Sequence, residues 1–292
     1  MPNQEDQLTF EPRICTAELL CAEPVALAKD TRDAIVADLS AALGGVTVLR
    51  EDATTMHLAL EGYPVEYEGG EKVPAQVLLV SAASPEMNPD PEKTAAALET
   101  SLSQTWDWDE AGEAVQNAPH TFLVSDFLAS GLEAEQRITI FTATMVAAVR
   151  HIPCEALHFP ASQSLVKPEA YLEGALGGED EYPLLGLVNV RFFTVEDTED
   201  EIVMDTLGLN VFGLPDAQCH CAGVEPGELA GWLYSLSVYI AGTEKEINDG
   251  DTVDGFGDMT LAMHYGESLV SPRRVVLDLQ PAEPILEKES RE

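Results

Sequence analysis

Two spacings of hydrophobic residues recur along the chain, and Gly, Pro, Asn and Asp separate the segments that carry them. Steps of three and four residues, as in Ile35, Leu39 and Leu43, give one apolar face and predict helices. Alternation of apolar and polar residues, as at Val188 and Val190, predicts strands. The predicted helices cover residues 30–43, 92–103, 133–150, 168–174 and 226–241. The predicted strands include residues 17–21, 46–49, 56–60, 77–80, 120–127, 156–159, 188–192, 203–211, 259–265 and 275–279.

A strand, a turn and a helix follow one another three times, starting near Leu19, His120 and Gln218. The first and last of these units share a Cys-Ala string before an acidic residue and Pro, so an internal duplication is an open alternative. We expect Asp30 to be the N-cap of the first helix. Together the elements predict an α+β fold, with mixed, largely antiparallel sheets and helices packed on one face.

Composition shifts divide the chain into four parts. Residues 1–10 are polar and predicted to be disordered, and residues 283–292 form a charged tail. An acidic link, GGEDEY, separates an N-terminal α+β half at 11–178 from a C-terminal α+β half at 179–282. Whether the two halves form one domain or two stays open.

The charge of the chain narrows the classes of partner. It has 52 Asp+Glu against 15 Lys+Arg, which gives a net charge of −37, yet 45% of its residues are hydrophobic. We therefore expect a folded protein with an anionic surface that binds neither nucleic acid nor anionic membranes and attracts basic proteins. A salt-rich cytoplasm, or an acidity without a specific partner, would explain the same composition.

The sequence predicts a cytoplasmic location. The first residues lack a basic segment followed by an apolar one, and no apolar run approaches the ~20 residues that span a bilayer. Five cysteines are an odd number in a long chain, which argues against a disulfide framework and favours a reducing compartment.

The C-terminal half resembles a known family in three strings: DTLGLNVFGLPDAQ, EPGELAGWLYSLSVYIAG and INDGDTVDGFG. The matching residues are Thr206, Gly208, Gly213-Leu214-Pro215, Asp249-Gly250 and Thr252. They are similar to the bacterial domain-of-unknown-function family 4261, mainly over residues 186–257. Trp106, Trp108 and His120 resemble a Trp-rich stretch of the same family, whereas Asp254 stands where the family usually has Gly. The resemblance implies a related fold and assigns no chemistry.

Cys219, His220 and Cys221 are the candidate metal ligands, because soft ligands lie one residue apart in a predicted short strand. Such a strand places both thiols on one face and the imidazole on the other, and the sequence offers no second Cys/His pair nearby. We prefer to interpret the cysteines as buried small hydrophobes, so no metal and no cofactor are predicted.

Asp249, Asp251 and Asp254 form an acidic turn that suggests either a cation site or a Gly-rich hairpin. The spacing of a calcium loop fails, because Val253 and Thr260 stand where two ligands belong. The hairpin is the preferred interpretation, and the three carboxylates remain candidate binding residues.

Two other sets of residues are candidates for binding. Thr206, Gly208 and Asn210 fall on one face of the predicted strand 203–211, where they would either line a groove or allow close packing. Trp106 and Trp108 would form a recognition patch or anchor a loop onto the domain.

The chain lacks a P-loop, a G-x-G-x-x-G, a G-x-S-x-G and an H-E-x-x-H, so no catalytic residue is predicted. The preferred hypothesis is a non-catalytic cytoplasmic protein that binds a basic protein, as an immunity-type inhibitor of a toxin would. The alternative is an enzyme or a small-molecule or metal-binding protein with a carboxylate/His cleft in the C-terminal half. The candidates for that cleft are Asp205, His220, Asp249, Asp251 and His264. An assembly subunit is a third hypothesis, and the oligomeric state is not predicted.

Overall fold

A computed structural model describes residues 11–66, 69–84, 90–177, 183–198, 200–243, 245–256 and 259–282. The predicted disordered start, the acidic link around residue 179 and the charged tail lie outside these ranges. The described chain forms two compact units. The N-terminal unit contains Phe10–Asn189 and Gly208–Leu214, and the C-terminal unit contains Val190–Leu207 and the chain from Pro215 onward.

The described residues of the N-terminal unit form a seven-stranded sheet with five α-helices. Its strands are β1 (Thr16–Cys21), β2 (Val46–Glu51), β3 (Thr55–Glu66), β4 (Lys72–Ser81), β5 (His120–Ser125), β6 (Ala156–Phe159) and β7 (Ser164–Val166). Its helices are α1 (Lys29–Leu43), α2 (Pro91–Leu102), α3 (Ala111–Asn117), α4 (Ala134–His151) and α5 (Pro168–Ala175). The strand order is β2-β3-β4-β5-β1-β6-β7, and the pairings between these strands are antiparallel.

The central strand β1 is buried on both faces, because neighbours such as Leu19 and Leu20 point to opposite sides and both are inaccessible to solvent. On the side of Leu20, the α2–α3 region adds Trp108 and Ala111 to a core that includes Leu165 of β7. Elsewhere in the unit α1 packs against α4, whose buried stripe has the predicted helical spacing.

The structure corrects the predicted N-cap of α1. The helix starts one residue earlier than predicted, so its N-cap is Ala28 and Asp30 lies inside the first turn. There its carboxylate still lies near the positive end of the helix dipole. Helix α2 has the side-chain cap that α1 lacks, since Asp90 accepts hydrogen bonds from the backbone N–H groups of Glu92 and Lys93.

The C-terminal unit is a six-stranded sheet with one long helix. Its elements are β8 (Asn189–Thr194), β9 (Glu201–Leu207), β10 (Asp216–Ala222), α6 (Pro226–Gly242), β11 (Thr252–Asp254), β12 (Thr260–Glu267) and β13 (Val275–Pro281). The strand order is β11-β12-β13-β10-β9-β8, with a parallel pairing between β10 and β13 and antiparallel pairings for β9–β10, β11–β12 and β12–β13. These two sheets and their helices confirm the predicted α+β class. The three predicted strand–turn–helix units are β1–α1, β5–α4 and β10–α6, and their duplication stays a prediction.

The predicted strand 203–211 is wrong beyond Leu207, where β9 ends. Gly208 has φ +140°, a conformation that residues with a Cβ rarely adopt, and a 3₁₀ helix spans Leu209–Phe212. A Cβ on Gly208 would lie 1.9 Å from the carbonyl oxygen of Leu187. The chain therefore turns at this glycine, and Thr206, Gly208 and Asn210 do not share a strand face.

Among the described residues, no helix combines the length and the apolar character that crossing a membrane requires.

Candidate functional site

The sheet of the C-terminal unit has one polar face. Asp205, Gln218, Asp278 and His264 are cross-strand partners on four neighbouring strands, so their side chains share that face. The opposite face carries apolar residues such as Leu277, and α6 contacts β9 and β10 with its own apolar side. The polar face is therefore where chemistry would be expected in this unit.

Four charged side chains form a buried network on the polar face. Asp205 accepts two hydrogen bonds from Arg191, Nε at 2.9 Å and Nη2 at 2.6 Å, and a third from Nη2 of Arg274 at 2.7 Å. Arg274 also donates from Nε to Asp216 at 3.0 Å. Both carboxylates have no exposed surface, and Arg191 is 2% exposed.

This network is suited to a structural role. Its two guanidinium groups and two carboxylates cancel in charge, and the arginines also donate to backbone oxygens of Thr206 and Ser271. Buried charges that are paired in this way hold their partners in place, because removing one would leave another buried and uncompensated, whereas a binding site needs groups that a ligand can reach. Asp205 is thus placed inside the unit and away from solvent.

Exposed carboxylates gather in the acidic turn, which we define as residues 246–254. Asp249 accepts a hydrogen bond from the backbone N–H of Tyr265 at 2.9 Å, and its carboxylate lies 3.5 Å from Nδ1 of His264. Asp251 accepts from the N–H of Asn248 at 2.8 Å. These bonds hold the loop while both carboxylates face water.

The acidic turn also changes the electrostatics of its neighbours. Burial raises the pKa of Tyr265, and the negative charges of Glu246, Asp249 and Asp251 raise it further. Asp254 is exposed at the end of β11, and its backbone oxygen accepts a hydrogen bond from Nε1 of Trp232 at 3.0 Å. The turn thus presents four carboxylates within one short segment.

The acidic turn leads from α6 into β11, and β11 then pairs with β12, so the hairpin lies beyond the turn rather than at it. Gly250 has φ +86°, which a glycine adopts without strain, and its N–H donates to the carbonyl oxygen of Met263. In the part of the chain that the structure describes, no group of three His, Cys, Asp or Glu side chains could hold a metal ion.

The strand β10 separates the candidate metal ligands. Cys219 is buried and Cys221 half-buried on one face, while His220 points to the other side and lies 3.1 Å from Glu201. Burial, and then the neighbouring Cys221, raises the pKa of Cys219 to about 12, so its thiol is protonated at neutral pH. All five cysteines carry free thiols.

The remaining predicted binding residues are dispersed. Trp108 is 8% exposed within the core of the N-terminal unit, with the Lys167 ammonium 5.4 Å above its ring, whereas Trp106 is 58% exposed. The Thr206 hydroxyl accepts a hydrogen bond from the N–H of Ala217. Asn210 belongs to the N-terminal unit and accepts a hydrogen bond from Arg13 of the same unit. Asp249 and Asp251 lie close enough to Tyr265 to raise its pKa, whereas Asp254 stands at the far end of β11 and the other predicted residues are dispersed.

The sequence analysis did not predict a hydrogen-bonded chain of three side chains in the N-terminal unit, Ser101, His158 and Glu18. Nδ1 of His158 lies 2.8 Å from a carboxylate oxygen of Glu18, and its Nε2 lies 3.0 Å from the hydroxyl of Ser101. Ser101 has no exposed surface and His158 is almost fully buried, while the Glu18 side chain is 20% exposed. The three groups tie α2 to the sheet, and the serine hydroxyl does not meet solvent as a nucleophile would. The available signal was a histidine within the otherwise apolar string ALHF.

A second buried ion pair was also missed in that unit. Arg137 of α4 donates to Asp126 at 2.5 Å and to the backbone oxygens of Arg13 and Val211. Both partners of the ion pair are inaccessible to solvent. An arginine within the apolar stripe of α4 was the signal.

The fold and the site define an α+β protein with internally paired buried charges and an exposed acidic turn. Residues 205–280 match the model of a family described as Domain of unknown function (DUF4261), which confirms the resemblance to that family. The match spans β10 to β12 completely and includes the acidic turn, three of the four network residues and α6. No curated protein and no solved structure matches the chain.

Proposed function

We propose that this chain is a non-catalytic binding protein of the bacterial cytoplasm that recognises a basic protein, with an immunity-type inhibitor of a basic toxin as its concrete form. The observation that carries the proposal is the exposed acidic turn in a chain of net charge −37.

Outside the two buried networks, the excess of acidic over basic residues is proportionally larger than in the whole chain. The two buried networks contain three arginines and three aspartates, which cancel. Subtracting three from each of the totals, 52 and 15, leaves 49 acidic and 12 basic residues elsewhere in the chain. A field of that sign raises the rate at which a cationic partner arrives by about 10- to 1,000-fold at low salt.

The acidic turn supplies a defined place for contact. Its carboxylates are held by backbone hydrogen bonds at Tyr265 and Asn248, so little conformational freedom is lost when a partner binds. The Trp232 and Phe256 rings meet edge to face beside Asp254, with centroids 5.9 Å apart, and they provide an apolar surface next to the charges. Charges around an aromatic centre are typical of protein–protein interfaces.

The first experiment is affinity capture from the lysate of the source organism at low and at moderate salt, read by mass spectrometry. We expect one basic protein to be retained in stoichiometric amount at both salt concentrations. Retention of nothing, or only of nucleic-acid-binding proteins that moderate salt removes, would contradict the proposal.

A variant then localises the contact on the captured pair. The triple change Asp249→Asn, Asp251→Asn and Asp254→Asn removes three charges but leaves an acceptor oxygen at each position. Exposed pairs contribute about 0.2–1 kcal/mol each, so we expect affinity to fall by about tenfold, largely through a slower association rate.

The matched control removes three exposed charges from other helices, by Glu99→Gln, Glu113→Gln and Glu173→Gln. We expect this variant to bind almost as tightly as the unmodified chain. Equal weakening by both triple variants would show that the charge acts without a specific surface and would refute the role of the acidic turn.

A further inference from the structure

Three sulfur-bearing side chains meet on the face of the C-terminal sheet that α6 covers. Cys219 and Cys221 lie two positions apart in β10, so their side chains share one face of the strand. In the antiparallel register, Met204 of β9 is the partner of Cys219 and Ile202 is the partner of Cys221. Residues directly opposite one another share a face and have Cβ atoms about 4.5–5.5 Å apart. Met204 therefore stands beside the two cysteines, although it is distant from them in sequence.

The two thiols are close enough to interact directly. A hydrogen bond links the side chains of Cys219 and Cys221. Cα atoms two positions apart in a strand are separated by about 6.6 Å, so this bond requires the two side chains to turn toward each other. A single ion therefore reaches both sulfurs through side-chain rotation, and the strand itself does not have to change.

The group of three sulfurs is buried on one side and accessible on the other. Met204 has no exposed surface and Cys219 is 4% exposed, whereas Cys221 is half-buried. The helix α6 contacts both β9 and β10 over this face. An ion thus enters past Cys221, and Met204 and Cys219 then hold it away from water.

We propose that Cys219, Cys221 and Met204 form a binding site for one monovalent copper ion. Thiolate and thioether sulfurs are the soft ligands that select Cu(I). Zinc sites need four ligands, and calcium and magnesium need oxygen ligands. No three His, Cys, Asp or Glu side chains form a metal-binding group in the described part of the chain, so the three sulfurs suit Cu(I) better than these ions. As the ion binds, each thiol releases its proton to the solvent, and the ion with its two thiolates carries one negative charge.

Competition for Cu(I) between the full chain and a coloured Cu(I) chelator tests the site, without oxygen and with ascorbate as the reductant. We expect the chain to withdraw one copper ion per chain from the chelator. Cys221→Ser removes one thiolate and should abolish this withdrawal. The matched control is Cys154→Ser, which removes the other half-buried cysteine and should leave the withdrawal unchanged. An unmodified chain that withdraws no copper, or two variants that behave alike, would overturn the proposal; circular dichroism checks that both variants fold.

Two further variants test which group completes the site. Met204→Leu nearly conserves the volume of the side chain but removes the thioether, so this variant should lose its copper at a lower chelator concentration than the unmodified chain. His220 points to the other side of β10 and lies 3.1 Å from Glu201, so His220→Ala should leave the competition unchanged. Loss of copper from His220→Ala, or full retention by Met204→Leu, would refute the set of three sulfurs.

X-ray absorption at the copper edge identifies the ligands independently of the affinity. We expect sulfur neighbours alone around the ion, whereas a shell of nitrogen or oxygen would show that imidazole or carboxylate groups bind it and would overturn the proposal. The triple Asn variant of the acidic turn should keep its copper, because none of its three carboxylates belongs to this site. The copper site and the contact with a basic partner are therefore refuted by different results.

Discussion

Removing the charge of Asp205 should strongly destabilise the C-terminal unit. Asp205→Asn keeps the shape of the side chain but leaves Arg191 without its ion-pair partner and Arg274 with Asp216 alone. Three guanidinium hydrogen bonds of 2.6–2.9 Å reach this carboxylate, and charge-assisted bonds contribute about 1.5–3 kcal/mol each. Since part of that sum is recovered by relaxation, we expect a loss of about 3–5 kcal/mol, the range for breaking a buried pair.

The assay has to distinguish the two units, because a two-unit chain need not unfold in one transition. Pulse-labelled hydrogen exchange across a urea series, read by mass spectrometry, follows peptides of β9, β10 and β13 separately from those of β1 and β5. In Asp205→Asn the first group should unfold at lower urea, and high salt should not cancel the effect because the pair is buried. The matched control is Asp278→Asn on the same face, where a loss below about 1 kcal/mol is expected because the Asn oxygen can still accept the hydrogen bond that Gln218 donates. A loss under 1 kcal/mol for Asp205→Asn would refute the reasoning.

Two other predictions concern the backbone and the thiols. Gly208→Ala should lower the free energy of unfolding by more than about 3 kcal/mol, since its Cβ would overlap the Leu187 oxygen. Gly231→Ala, with open space around it, should raise the free energy of unfolding by about 0.5–1 kcal/mol. Chemical denaturation compares the two variants, and equal effects would contradict the clash at Gly208. Burial raises the pKa of Cys21 to about 11 and of Cys154 to about 12, while unfolded thiols ionise near about 8.5. Above about pH 8.5 the unfolded chain therefore releases protons that the folded chain keeps, and stability should fall as pH rises toward 11. Urea midpoints at three pH values in a non-thiol reductant check this, and a rising midpoint would contradict it.

The elements were predictable from sequence because their signals are local. The stripe of α4 and the Pro and Glu residues at the start of α6 lie within one element, and both helices appear within a residue or two of the predicted bounds. The prediction failed at Gly208, where alternation continues through Leu209 and Val211 although the strand has ended. The cause is the close approach of Leu187, and alternation within the segment carries no information on that contact.

The buried charges could not be predicted, because their partners are distant in sequence. Asp205 and Arg274 are 69 positions apart, and Ser101 and His158 are 57 positions apart. Asp205 was a candidate for a cleft because it is a carboxylate and lies in the segment that resembles the domain-of-unknown-function family. Only the fold shows that it is enclosed with two arginines, whereas the acidic turn, whose carboxylates are neighbours in sequence, could be singled out in advance.

The charged residues of the C-terminal unit thus fall into a buried set and an exposed set. Substitutions in the buried set should change the stability of the unit, and substitutions in the exposed set should change partner binding. Asp205 and Asp216 are enclosed and neutralised, so their removal should change the free energy of unfolding and leave the salt dependence of partner binding unaltered. Asp249 and Asp251 are exposed, so their conversion to Asn should change association rate and salt dependence while unfolding stays nearly the same. If Asn at the exposed positions destabilised the unit as much as Asn at Asp205, the turn would be part of the scaffold and the acidic contact surface would have to lie elsewhere.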